Sequence, residues 1–173
     1  CMIYMNHRGN IIMTRSGNRL ISHRGNTNGR TKHENDPSYI KDALDSGYNV
    51  EIDVSFSNNS FWLGHDDGRH KVKIDFLQNK KLWCHLKNKE SLKEIVGINA
   101  RMQLAEDKVH YFWHTNEDLV ITSRGYIWHH SRSAATDFTL KSIAVLPELM
   151  HTGTDFANKC CGICSDVIER YNV

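Results

Sequence analysis

Short runs typical of β-strands alternate with helical stretches from Arg19 onward. This alternation constrains the fold most, because it favours parallel strands joined by helical crossovers. We expect strands at residues 19–23, 49–56, 81–86, 109–113, 119–122, 126–129, 142–146 and 162–166. Several of these strands should run parallel.

Two helices are expected between these strands. The first follows Asp36, has a proline in its first turn and ends near Gly47. The second covers residues 89–103, where apolar side chains recur at roughly helical spacing. Residues 58–59, both Asn, should form a hairpin turn, because Asn tolerates a positive φ.

The length of 173 residues fits one domain. We therefore divide the chain into an N-terminal extension, residues 1–18, and a single domain, residues 19–173. The tetrapeptide His-Arg-Gly-Asn occurs at residues 7–10 and again at residues 23–26. Only the second copy follows an apolar run that could place it at the end of a strand.

The charge balance and the apolar runs exclude some classes of partner. Lysine and arginine total 22 against 20 for aspartate and glutamate, a net charge of +2, which is too balanced to indicate a nucleic-acid-binding surface. No run reaches the roughly 20 apolar residues of a membrane-spanning helix. Because the N-terminus also lacks the continuous apolar core of a secretory signal, we expect a cytoplasmic protein.

Five cysteines in a chain without a signal peptide favour reduced thiols over disulfides. Cys160, Cys161 and Cys164 form a cluster with one C-x-x-C spacing, but the sequence offers no second set of zinc ligands at matching spacing. A metal or redox role and a set of buried thiols beside a strand are both open, and the incomplete ligand set favours the second.

The most informative polar residues lie in the run 49–54. In a strand, Glu51 and Asp53 point to one face, while the three valine and isoleucine residues beside them point to the other. Two adjacent carboxylates repel each other unless a positive charge compensates them, and a divalent cation with a preference for oxygen does so well. A solvated polar face is the alternative, and for this pair alone it is the more common one.

Two histidines occur at the ends of β-like runs. His23 ends an apolar run and begins the triplet His-Arg-Gly, and His65 lies in the triplet Gly-His-Asp. Either histidine alone would more often be structural. The order of the whole set is informative: a His-Arg-Gly strand end, a helix, a Glu-x-Asp strand, a hairpin and a Gly-His-Asp end.

This order resembles the glycerophosphodiester phosphodiesterase family. The family pattern is a strand ending in His-Arg-Gly, a Glu-Asn pair before the first helix, a Glu-x-Asp strand and a later His-Asp pair. The matching segments here are residues 21–25, 34–35, 47–54 and 64–66, with fainter likeness at residues 82–87 and 162–166. Four motifs in order and at suitable spacing make the resemblance specific.

The resemblance implies a (β/α)8 barrel. Such a barrel typically takes about 250 residues, so we expect a reduced or distorted TIM-like barrel of the α/β class. The region 113–130 leaves no room for full helical crossovers, and it could contain a hairpin inserted into the barrel or beside it.

The resemblance also implies roles for individual residues. The candidates are the proton-transfer pair His23 and His65, the phosphate-binding Arg24 and Lys87, and the metal ligands Glu51, Asp53 and His85. His85 stands where the family has a metal-binding Glu, and it either replaces that ligand or points away from the site. The expected cofactor is a divalent metal ion, Mg²⁺ first, with Mn²⁺ or Ca²⁺ as alternatives.

The predicted function is cleavage of a P–O bond in a small glycerophosphodiester-like or lysophospholipid-like substrate. Two alternatives remain open. One is a module that binds a phosphate or sugar phosphate without turnover, and the other is a lyase or transferase that releases a cyclic phosphate. Glu148, near the end of a strand, is a further and weaker candidate ligand.

Overall fold

The structure is a computed structural model that describes residues 2–5, 11–14, 19–66, 68–131, 138–149 and 159–172. The first copy of the repeated tetrapeptide, residues 7–10, lies outside these ranges. All eight expected strands lie within them.

The described residues contain twelve β-strands and three α-helices. The strands are β1 (Met2–Met5), β2 (Ile11–Thr14), β3 (Arg19–His23), β4 (Asn49–Ser57), β5 (Ser60–Leu63), β6 (His70–Val72), β7 (Leu82–Leu86), β8 (Tyr111–Trp113), β9 (Leu119–Ile121), β10 (Ile127–His129), β11 (Ser142–Val145) and β12 (Gly162–Ser165). The helices are α1 (Pro37–Asp45), α2 (Ile74–Leu77) and α3 (Lys89–Arg101). The eight expected strands are confirmed as β3, β4 and β7 to β12, and the two expected helices as α1 and α3.

Ten of the strands form one mixed sheet. Its order is β6-β5-β4-β3-β12-β11-β10-β9, while β7 pairs with β4 and β8 pairs with β7. The pairs β12–β3, β3–β4, β4–β7 and β7–β8 are parallel, as are β10–β11 and β11–β12. Strands β1 and β2, in the N-terminal extension, form a separate antiparallel pair.

The expectation of a (β/α)8 barrel is wrong. The sheet curls into a half-barrel that is mostly strand, and the described residues include only three helices. A parallel crossover needs about a dozen residues or more, whereas the chain between β8 and β10 is occupied by β9. That strand pairs antiparallel with β10, so the expected hairpin in this region is confirmed.

The helices cover the side of the sheet formed by β4 and β7. Val50, Ile52 and Val54 of β4 are fully buried in one apolar cluster with Ile40 of α1 and Ile95 of α3. On the inner face of the curl, aromatic and aliphatic side chains from six strands form a second cluster. Because side chains alternate along β4, its valine and isoleucine residues face the helices, and Glu51 and Asp53 face the other side.

Side-chain caps fix where the two longer helices begin. The Asp36 side chain accepts a hydrogen bond from the Ser38 backbone N–H, and Asn88 does the same for Ser91. Asn88 also exchanges two hydrogen bonds with the backbone of Phe56, which ties the start of α3 to the end of β4. None of the helices in the described part of the chain has the length and apolar character that a membrane crossing requires.

The cysteine cluster lies in β12, at Cys164, and just before it, at Cys160 and Cys161. Cys160 and Cys164 are buried, Cys161 is half-buried, and none of them forms a disulfide. Burial raises the pKa of Cys160 to about 11, so its thiol stays protonated at neutral pH. The geometry matches the interpretation of buried thiols beside a strand.

Packing of α3 on β4 predicts a stability effect. Ile95 is fully buried, whereas its neighbour Val96 is 44% exposed. We expect Ile95→Ala to lower the free energy of unfolding by about 2–5 kcal/mol, because it leaves a cavity under the helix. Val96→Ala, the matched control, should change it by less than about 0.5 kcal/mol. Urea unfolding measures both, and equal effects would show that α3 does not pack on the sheet as described.

Candidate functional site

Glu51 and Asp53 lie on the inner face of β4 and are almost completely buried, at 2% and 0% exposure. Strand pairing places His23 of β3 beside Glu51 and His85 of β7 beside Asp53. Because the three strands are parallel, these side chains meet at the same end of the sheet. The predicted shared face of the two carboxylates is confirmed, and it is not solvated.

Asp53 is held by an amide and by two positive charges. Asn35 donates from Nδ2 to Asp53 Oδ2 at 3.0 Å, and its own Oδ1 accepts from the Asp53 backbone N–H at 2.9 Å. Arg24 Nε lies 2.9 Å from Oδ2 as an ion pair, without the alignment of a hydrogen bond. Lys87 Nζ lies 3.6 Å from Oδ1. Both predicted phosphate-binding residues thus reach the carboxylate cluster.

The tight turn after β3 explains why the triplet contains glycine. Gly25 has φ +91°, and a Cβ at this position would lie 2.7 Å from the Tyr39 ring, so only glycine fits. The turn directs Arg24 back across the strand ends, where its Nη1 donates to Glu34 Oε2 at 3.1 Å. Glu34 therefore orients Arg24, and the Glu-Asn pair before α1 supports the site.

His85 faces the carboxylates, which resolves the alternative that it points away. Its Nδ1 lies 3.2 Å from Asp53 Oδ1 and 3.8 Å from Glu51 Oε1. The ring lies nearly parallel to those of Phe112 and His114, with centroid distances of 5.0 and 4.4 Å. These contacts fix the plane of the imidazole.

Glu51, Asp53 and His85 form a group that could hold a metal ion. One ligand atom from each lies within 4.8 Å of the others. Glu51 Oε2, Asp53 Oδ1 and His85 Nε2 are buried and have no hydrogen-bond partner among the described residues. Buried polar atoms without hydrogen bonds are rare in native proteins, and an ion bound between these three residues would satisfy them. The donor set of carboxylate oxygens and an imidazole nitrogen suits a divalent cation.

The pKa values of the two carboxyl groups are shifted in opposite directions. Burial, followed by the charge of Asp53, raises the pKa of Glu51. Burial acts on Asp53 in the same sense, yet His85, Arg24 and Lys87 together hold the pKa of Asp53 well below its usual range. Asp53 is therefore the permanent anion of the pair, and a cation bound between them would favour the ionised form of Glu51 as well.

His23 is oriented by a carboxylate from β12. Its Nδ1 lies 2.7 Å from Asp166 Oδ1, and its Nε2 lies 3.7 Å from Glu51 Oε2. Burial lowers the pKa of His23, but the hydrogen bond to Asp166 and the charge of Glu51 outweigh burial, so the pKa is raised above its ordinary value. Asn26 donates to the same Asp166 oxygen at 2.8 Å and holds it in place.

His65 lies apart from the buried group. It is exposed, and its Nδ1 lies 2.6 Å from Asp66 Oδ1. The structure therefore brings His65 to the rim of the site, while His23 belongs to the buried cluster.

One open cavity connects all of these groups. It has a volume of about 830 Å³, within the range of sites that take small ligands. Its wall includes the following predicted residues: His23, Arg24, Glu51, His65, His85 and Lys87. Asp53 lies directly behind this wall, in contact with Arg24 and Lys87.

Sequence reasoning assigned no role to Asp166, Asn35 or His114. Asp166 ends a predicted strand and Asn35 belongs to the Glu-Asn pair before α1, so their places in the matched motifs were the available signal. His114 lines the cavity, and burial, followed by the charges of His85 and its neighbours, lowers its pKa to about 4. Glu148 uses both oxygens to accept from Ser165 Oγ and the Asp166 N–H, so it supports β12 instead of joining the metal-binding group.

No family model, curated protein or solved structure matches the chain. The roles of the residues therefore rest on their chemistry and on the distances above.

The contact between His23 and Asp166 predicts that the pKa of His23 changes when Asp166 is replaced. Replacing Asp166 by Asn removes the negative charge that favours the imidazolium, so the pKa of His23 should fall. Because the pair stabilises protonated His23, its contribution to stability is present below the ordinary His pKa and disappears as pH rises through the raised one. NMR titration of the His23 ring in the wild type, in Asp166→Asn and in the exposed control Asp107→Asn measures the shift. An unchanged His23 pKa in Asp166→Asn would contradict this assignment.

Proposed function

We propose that this chain is a divalent-metal-dependent phosphodiesterase that cleaves a P–O bond in a small glycerophosphodiester-like or lysophospholipid-like substrate. The observation that carries the proposal is the cluster of Glu51, Asp53 and His85, which contains buried atoms without hydrogen bonds among the described residues. It lies next to His23, a histidine oriented by a carboxylate. The same cavity offers two cations for a phosphate group, Arg24 and Lys87.

A divalent cation would be held by Glu51, Asp53 and His85. When bound, it supplies positive charge that neutralises phosphate oxygens and orients the attacking hydroxyl group. Mg²⁺ suits the two carboxylates, and the imidazole also admits Mn²⁺.

His23 can move a proton at its Nε2. With Nδ1 bound to Asp166, the neutral ring carries its proton on Nδ1 and leaves the Nε2 lone pair available toward the cluster. In this state His23 accepts the proton of the attacking hydroxyl group. In the protonated state, which Asp166 favours, it donates from Nε2.

His65 complements His23 from the rim of the cavity. Its Nδ1 contacts Asp66 Oδ1, an exposed counterpart of the largely buried His23–Asp166 pair. Its exposure suits exchange of protons with solvent as an alcohol leaves. Arg24 and Lys87, both close to Asp53, would bind phosphate oxygens on the side of the metal.

A small-molecule substrate and a cytoplasmic location complete the proposal. The cavity has the volume of a small-ligand site, and the cysteines that the structure describes form no disulfide, which suits a reducing compartment.

Metal-dependent release of an alcohol from a panel of glycerophosphodiesters and lysophospholipids tests this function. We expect a bell-shaped pH profile of kcat/KM, with its limbs set by the groups that accept and donate the proton in the free enzyme. His23→Ala and His65→Ala should each lower kcat by roughly 10²- to 10⁴-fold. The double variant should lose less than the product of the two losses, because residues that act as a unit are not additive.

The exposed His33→Ala is the matched control and should keep full activity. ³¹P NMR of the products separates hydrolysis from release of a cyclic phosphate. Full turnover by both single variants would contradict the acid-base roles, and failure to turn over any phosphodiester with intact metal binding would favour a binding module without catalysis.

A further inference from the structure

The carboxylates on the cavity wall are already engaged. Glu34 pairs with Arg24 and Arg30, and Asp166 pairs with His23. Asp66 contacts His65, and Glu51 belongs to the metal-binding group. Asp66 is the one carboxylate on the described wall that stays exposed, and its ion-pair partner is a histidine.

Two cations on the same wall lack such partners. Lys32 and Arg69 both line the cavity and are exposed. Neither forms an ion pair with any residue that the structure describes. Arg24 and Lys87, in contrast, already contact Asp53 deeper in the site. Two cations without ion pairs thus stand against one exposed carboxylate, Asp66, so the uncompensated charge on the described wall is net positive.

The wall also lacks a site for a quaternary ammonium group. Recognition of such groups uses the faces of aromatic rings. Among the described lining residues, Trp128 is the only Phe, Tyr or Trp, and it is 4% exposed. A cationic head group would meet Lys32 and Arg69 without an aromatic cage to offset the repulsion.

We propose that the cavity selects phosphodiesters whose head group carries a second negative charge, bound by Lys32 and Arg69, over those whose head group is cationic. The inference rests on the proposed function, and it assigns the substrate class of that site. Arginine matches the planar geometry of phosphate and carboxylate, and lysine adds a point charge. The volume of about 830 Å³ leaves room for a head group beyond the reacting phosphate.

The expected size of the preference for an anionic head group follows from the exposure of Lys32 and Arg69. Exposed ion pairs change an equilibrium by roughly two- to fivefold each. Two independent contacts therefore give roughly a four- to twenty-fivefold preference. The preference should weaken in high salt, because exposed charges are screened.

The double variant Lys32→Gln/Arg69→Gln tests the assignment. The control Lys73→Gln/Lys93→Gln removes the same net charge at exposed positions outside the cavity wall. The substrates are glycerophosphoinositol 4-phosphate, with an anionic head group, and glycerophosphocholine, with a cationic one. The ratio of their kcat/KM values should favour the anionic substrate in the wild type and fall roughly four- to twenty-fivefold in the double variant. The control should keep the wild-type ratio within about twofold.

Calorimetric binding of the same two compounds to His23→Ala gives a readout without turnover. Preferential binding of the anionic compound, lost when Lys32→Gln/Arg69→Gln is added, supports the inference even if wild-type turnover is absent and the proposed function fails. Turnover of both compounds with equal kcat/KM would overturn the inference and leave the proposed function standing. An equal fall of the ratio in the control, or no binding of either compound, would also overturn it.

Discussion

The structure depends on two carboxylates, Glu51 and Asp53, buried side by side on one face of β4. Burial of ionised carboxylates is costly unless charges and hydrogen bonds compensate them. The chain supplies this compensation from several elements: Arg24 after β3, Asn35 before α1, and His85 and Lys87 at the end of β7. The strand ends and turns around β4 thus bring positive charges and hydrogen-bond donors to this pair of carboxylates.

The charges and hydrogen bonds around Glu51 and Asp53 compensate their burial only in part. Asp53 is fixed as an anion, while Glu51 is driven toward its protonated form, so the pair titrates as one coupled system. Atoms on Glu51, Asp53 and His85 remain without hydrogen bonds at the base of an open cavity. Structural ion-pair networks usually satisfy such atoms internally, and here they remain available to a ligand.

Local patterns predicted much of the fold and the centre of the site. Alternation gave the shared face of Glu51 and Asp53, and short β-like runs identified eight strands because strand propensity is a local property. The same patterns could not show that the sheet stays open as a half-barrel, because closure depends on how the strands pair, and β9 pairs antiparallel with β10. The short strand β6 and the four-residue helix α2 carry too few residues to show a period.

The partners of the candidate residues were harder to predict. Asp166 reaches His23 only because β12 pairs in parallel with β3, a contact across 143 positions of sequence. His114 stacks on His85 because β8 continues the sheet beyond β7. Such contacts follow from strand order, which periodicity does not contain.

Titration of the metal-free protein with Mg²⁺ and with Mn²⁺, followed by calorimetry, tests the central claim most directly. The wild type should bind one ion per chain, and binding should raise the melting temperature, because the ion stabilises only the folded state. Asp53→Asn should lose this binding, while the exposed Asp42→Asn should keep it. A wild type that binds neither ion would show that Glu51, Asp53 and His85 form a structural ion-pair network and would contradict the proposed metal site.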